Sequence, residues 1–124
     1  MTLQETLRNI LKHEGVVALA SLGEDGPHLV NTWNSYVEVP SDCRMLVPVG
    51  GMHRTERHIA VNPDVLITLG TRQEQGRHGP GIGFLIKGRA ELAQAGPEFD
   101  RMKARFPWMR AVLSIHIVSA TQTL

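Results

Sequence analysis

Residues 16–49 hold three strand-length runs separated by turns too short for a crossover. The runs are "VVALASL" at 16–22, the alternating "HLVNTWNSYVEV" at 28–39 and the apolar "RMLVPV" at 44–49. Between them lie only "GEDGP" at 23–27 and the trio Pro40, Ser41, Asp42, both of turn chemistry. A parallel connection needs about a dozen residues or more, so these strands run antiparallel. The remaining chain is punctuated in the same way. Residues 64–72, 82–95 and 110–122 read as three further strands, the middle one carrying glycines that permit bends or bulges, and 73–81 reads as a loop. Pro48 places an edge, a bulge or an end within its strand.

Three short helices fall between the strands. Thr2 and Glu5 have capping-box spacing, and Leu3, Leu7, Ile10 and Leu11 recur at helical intervals, which predicts a helix over 3–13 stopped by Gly15. A second runs over 52–60 and ends near Asn62-Pro63. Gly96-Pro97 opens a third, bearing Phe99, Met102 and Phe106, which Pro107 closes. There is no linker, repeat or low-complexity tract. The expectation is a single domain over 1–124 of mainly β (α+β) class: a six-stranded antiparallel barrel with short flanking helices, closed so that few edges stay exposed.

Charge narrows the function. Thirteen Lys plus Arg against twelve Asp plus Glu give +1, which argues against nucleic acid, since its binders carry a clustered basic excess. The single cysteine, Cys43, forms no internal disulfide. The amphipathic start "MTLQETLRNILKHEG" lacks the pattern of a targeting signal, and no apolar run approaches a bilayer span. A cytoplasmic protein with no membrane partner is the expectation.

Several catalytic signatures are missing. "GPGIG" at 79–83 lacks the third glycine of a dinucleotide fingerprint and leads into a strand. His53 and His58 are five apart, poor spacing for one helix face, and no zinc pattern occurs. His116, between Ile115 and Ile117, reads as the polar face of its strand in preference to a catalytic base. Glu14 reads as solvated surface, and no carboxylate pair stands out.

"VPVGGMHRTERHI" at 47–59 is different. A buried strand breaks at Gly50-Gly51 and resumes as a helix, where unpaired N–H groups and a positive dipole end await an anion. Glycines there allow close approach to the backbone, Arg54 adds a charged fork and Thr55 a hydroxyl. The parts suit a phosphate; a tight turn with surface charges on a short helix explains the same residues. "NTWNSY" at 31–36 is unusually polar for a strand and sets Asn31, Thr32, Asn34 and Ser35 beside Trp33 and Tyr36. Trp108, just after Pro107, stands where the chain turns, more as a rim than as a core residue. Together these suit a planar heteroaromatic cofactor with a phosphate tail, although two tryptophans in a core would be ordinary.

Four stretches, "EGVVALASLGEDGPHLVNTWNSY", "VPVGGMHRTE", "GPGIGFLIKGRAEL" and "AVLSIHIVSATQTL", resemble the pyridoxamine-phosphate-oxidase-like FMN-binding split-barrel flavoproteins from about residue 13 onwards. The resemblance implies a split barrel, a homodimer and one noncovalent FMN per subunit near the dimer interface. It implies that the flavin ring lies along Asn31, Thr32, Trp33 and Asn34. The phosphate falls at Pro48, Val49, Gly50, Gly51, Arg54 and Thr55. Trp108 and Leu124 fall beside the ring, Leu124 from the other subunit. The oxidases proper carry an Arg- and Trp-rich C-terminal motif, whereas this chain ends "SATQTL". The first reading is therefore an FMN electron carrier with an unidentified redox partner protein. The alternatives are a flavin reductase or small-molecule oxidase on the same site, and a cofactor-free dimeric module.

Overall fold

The computed structural model describes residues 1–124 throughout. In chain order the elements are α1 (Leu3–Leu11), β1 (Val16–Gly23), β2 (Gly26–Trp33), β3 (Glu38–Ser41), β4 (Arg44–Val49), α2 (His53–Val61), β5 (Asp64–Gly76), β6 (Gly79–Ala93), α3 (Pro97–Arg105) and β7 (Ala111–Gln122). One sheet of seven strands has the order β2-β1-β5-β6-β7-β4-β3, and every pairing is antiparallel. Its two terminal strands, β2 and β3, are consecutive in the chain, joined through a single 3-10 turn at Asn34–Tyr36. That short link draws the two edges together at one corner. The sheet therefore curls into a mostly β split barrel, as the sequence leads one to expect.

The strand count differs from the expected six because 28–39 is divided. Asn34 divides it: its Nδ2 donates to the carbonyls of His13 (2.8 Å) and Gly70 (3.2 Å), and its backbone N–H to Gly15 (2.9 Å). These bonds tie the residue across the barrel end and take the backbone off the β1 ladder, which stops at Val16 opposite Trp33. The expected loop at 73–81 is mostly strand. β5 continues to Gly76 and β6 begins at Gly79, leaving Arg77 and His78 as the turn. The turn expected at 40–42 moves on, because Ser41 already pairs with Arg44.

The main core is a cluster of 21 buried residues inside the barrel. Leu7 and Ile10 of α1 are fully buried in it, so α1 plugs one end, capped by Thr2 Oγ1, which accepts from Glu5 N–H at 3.1 Å. A fully buried Leu or Ile contributes about 1.5–3 kcal/mol. Leu46, Met102, Phe106, Met109 and Val112 form a second cluster beneath α3. β4 therefore buries both faces, Met45, Val47 and Val49 inward and Leu46 toward α3, which explains why "RMLVPV" does not alternate. Pro48 lies past Leu46, the last residue of β4 paired with β3, so its missing N–H breaks no bond on that side. No helix is long and apolar enough to cross a membrane.

Candidate functional site

Three residues carry the chain from β4 into α2. The ladder with β7 ends at Val49 opposite Ala111, and Gly50, Gly51 and Met52 make the turn. Met52 has φ 57° and ψ 35° and is the one non-glycine residue with positive φ. A left-handed conformation costs an ordinary residue about 1–2 kcal/mol, so the surroundings hold it there. No side chain caps α2. The N–H groups of Gly51 and Met52 find no acceptor within the chain. In the first turn of α2, Thr55 is buried and its Oγ1 has no hydrogen-bond partner.

A cleft of about 360 Å³ opens beside this junction. It brings Asn31, Thr32 and Trp33 of β2 together with Pro48, Gly50, Gly51 and Trp108. Trp33 and Trp108 are 45% and 49% exposed, so both are rim residues and not core. Trp108 is held by aromatic packing: its ring centroid lies 5.5 Å from Tyr36 and 5.6 Å from Phe106, and those two are 5.2 Å apart. Gly50 is needed for that closeness, since a Cβ there would stand 3.0 Å from Trp108 Cε3. A Cβ on Gly51 would meet nothing within 4 Å, so its backbone faces open space.

The other sequence-predicted residues lie elsewhere. Val49 is core. Asn34 is fully buried, its amide spent on the two carbonyls and its Oδ1 without a partner. Arg54 donates from Nε to Asp25 Oδ2 at 2.9 Å across the β1–β2 turn. Leu124 borders a separate groove of about 660 Å³ with Glu14, Gly83 and Phe84, which shares no residue with the cleft. A still larger groove of about 760 Å³ lies over the outer face of β1, β5, β6 and β7. Volume alone does not choose among them. The smallest of the three combines aromatic walls, side-chain amide and hydroxyl groups, and a helix start. His116 is exposed on β7, as its alternation predicts.

Sequence reading missed part of the site. Val30, Tyr36 and Met52 also line the cleft. Asp25, read only as turn chemistry, accepts from His58 Nε2 at 2.6 Å through Oδ1, while His58 Nδ1 meets Ser21 Oγ at 2.9 Å. The chain Ser21–His58–Asp25–Arg54 ties α2, through its first and last turns, to the β1–β2 hairpin. The hydrogen bond from His58 holds the Asp25 carboxyl below its ordinary range. Glu14 accepts from the Ser35 hydroxyl at 2.6 Å and the Ser35 N–H at 3.0 Å, and the hydroxyl bond holds its pKa down.

The fold is a split barrel with an aromatic cleft against a helix start, and comparison identifies the family. The pyridoxamine 5'-phosphate oxidase family model matches residues 3–122, and the chain belongs to that family. It is 59% identical over 119 residues to an FMN-binding protein of Nitratidesulfovibrio vulgaris (Miyazaki F strain), covering 96% of this chain and 97% of that one. HupZ of Group A Streptococcus shares the fold at TM-score 0.78 and 15% identity, covering 96% of this chain and 92% of the other. An FMN-binding protein of Syntrophomonas wolfei does so at 0.75 and 15%, covering 98% and 86%.

Proposed function

We propose that this chain binds one FMN in the Trp33–Trp108 cleft and works as an electron carrier. The observation that carries the reading is the buried Thr55 hydroxyl without a partner, in the first turn of a helix whose approach is Gly50-Gly51 and whose flank is aromatic. Such a hydroxyl suits a phosphate oxygen. The dipole end, the Gly51 and Met52 N–H groups and Arg54 suit its charge. A 59% identical relative that carries FMN-binding in its name supports the same cofactor. One phosphate cradle favours FMN over a dinucleotide.

The flavin supplies the redox chemistry when bound. The chain's part is to bind, orient and shield. Trp33 and Trp108 flank the cleft and limit water at the ring, while the β2 groups give the ring hydrogen bonds and the Gly50–Gly51 turn faces the phosphate. The cleft is lined by no carboxylate, histidine, lysine or arginine, and it offers an electron carrier's surroundings more than an acid-base catalyst's. Half-exposed tryptophans leave room for a second reading, a flavin reductase or small-molecule oxidase that admits a substrate over the ring. We take the molecule to be a homodimer in which Leu124 of one copy reaches the other's cleft, with a redox partner protein unidentified and a cytoplasmic location.

Purified protein tests the reading. The cofactor released by heat or acid should chromatograph as FMN at one per chain, and stoichiometric FAD or a colourless protein overturns it. Mixing with NADH in a stopped-flow instrument separates the roles. Multiple turnover with an added acceptor would make the chain a reductase.

A further inference from the structure

Arg110, just before β7, makes no contact with the cleft yet grips the turn that forms one wall of it. Its Nε donates to the Gly50 carbonyl at 2.9 Å and its Nη2 to the Gly51 carbonyl at 2.6 Å. Nη2 also meets Glu56 Oε1 of α2 at 2.8 Å, and the Arg110 N–H donates to Val49 at 2.8 Å. One residue thus spans the end of β4 through its backbone, and both glycines and the first turn of α2 through its side chain.

No peptide in the chain is cis. In a trans peptide the N–H points opposite to the C=O. Holding the Gly50 carbonyl therefore turns the Gly51 N–H away from Arg110, and holding the Gly51 carbonyl does the same for the Met52 N–H. Neither of these N–H groups has an acceptor in the chain. Glycines would otherwise let both peptides rotate, since they populate positive and negative φ almost equally. The left-handed Met52 directly after them shows that the turn is held in a conformation its own sequence disfavours.

We infer that Arg110 is a positioning residue: by pinning two carbonyls it presets the Gly51 and Met52 N–H groups as donors for the ligand's phosphate. The inference rests on the FMN reading above and deepens it. It assigns phosphate selectivity to a cation that does not touch the phosphate. Charge alone does not perform this task. A lysine carries the same charge but cannot span two carbonyls in the planar fork geometry of a guanidinium.

The test titrates apoprotein with FMN and with riboflavin for wild type, Arg110→Lys and Arg110→Met. Wild type should prefer FMN. Both variants should weaken FMN by about tenfold or more, at about 1.4 kcal/mol per decade, and change riboflavin by less than about threefold. If Arg110→Lys binds FMN as wild type does, charge and not positioning is at work, and the inference falls. Equal losses for both ligands also overturn it, since the residue then acts on the fold or the ring. Wild type that binds neither flavin defeats the underlying reading instead. Amide spectra of wild type supply a readout that needs no variant. The Gly51 and Met52 N–H resonances should shift on adding FMN and stay near their free positions on adding riboflavin; identical shifts with both ligands overturn the assignment.

Discussion

Thr55 is where the single side chain matters most. A buried hydroxyl without a partner costs about 1–3 kcal/mol, and exchanging it for a methyl of the same shape relieves that cost. Thr55→Val should therefore leave the apoprotein as stable as wild type or more so, while FMN binds more weakly. A denaturant titration in which the variant apoprotein loses stability would show that the hydroxyl is satisfied after all. Arg54 differs, because Asp25 already holds its Nε and leaves the terminal nitrogens for a ligand. A charge-assisted bond contributes about 1.5–3 kcal/mol, so Arg54→Ala should weaken FMN by about one to two powers of ten. Riboflavin, lacking the phosphate, should scarcely respond. Equal weakening of the two flavins would remove Arg54 from the phosphate site.

Elements, and not isolated residues, decide how α2 is mounted. The helix is tied to the β1–β2 hairpin through His58 and Asp25, and the tie has a sterically closed neighbour. A Cβ on Gly23 would fall 2.4 Å from His58 Cδ2. Gly23→Ala should displace the ring and cost about 1–3 kcal/mol, measurable by chemical denaturation; an unchanged midpoint would mean that the ring moves freely. The Asp25 pKa is lowered from an ordinary 3.8, chiefly by the His58 hydrogen bond. A carboxyl depressed on folding stabilises above its unfolded value, and that contribution disappears as pH falls through the folded one. Wild type should thus exceed Asp25→Asn in stability at neutral pH by a margin that is constant down to about pH 5 and shrinks below 3.8. A margin that persists at pH 2 would contradict it. The strands themselves were legible in the sequence, because alternation and short turns allow little else. The break at Asn34 was not, since no glycine or proline marks it in "NTWNSYVEV" and its cause lies in carbonyls 21 and 36 residues away. The hairpin at 73–81 was hidden by its glycines, which read as loop although Gly79 pairs with Gly76 and Gly81 sits where the β5–β6 register shifts, at φ 124° and 112°. The strand-to-helix junction showed itself through Gly50-Gly51. Its support did not, because Arg110 reaches it from 60 residues away.

At the scale of the whole molecule, the apolar surface remains to be accounted for. Leu22, Leu66 and Val118 are 52%, 45% and 62% exposed around the groove over β1, β5, β6 and β7, and Leu124 is 55% exposed beside the other large groove. Apolar side chains gathered along grooves mark interaction surfaces, whereas scattered ones need no explanation. Lys87, Arg89 and Asp64 border the first groove with both signs of charge, which suits a surface meeting a copy of itself. A carboxylate buried without a partner is costly, so Leu66→Glu and Leu124→Glu should each shift sedimentation toward monomer as the protein is diluted. Leu124→Glu should in addition alter the flavin absorption spectrum, because the proposed dimer carries that side chain to the other copy's ring. Val61→Glu is the control. Val61 is 86% exposed and borders neither groove, so its replacement should change neither sedimentation nor spectrum. If Leu66→Glu and Leu124→Glu both sediment as wild type does at every concentration, the two grooves do not join copies of the chain. A monomer-shifted Leu124→Glu with an unaltered spectrum would keep the dimer but remove Leu124 from the cofactor.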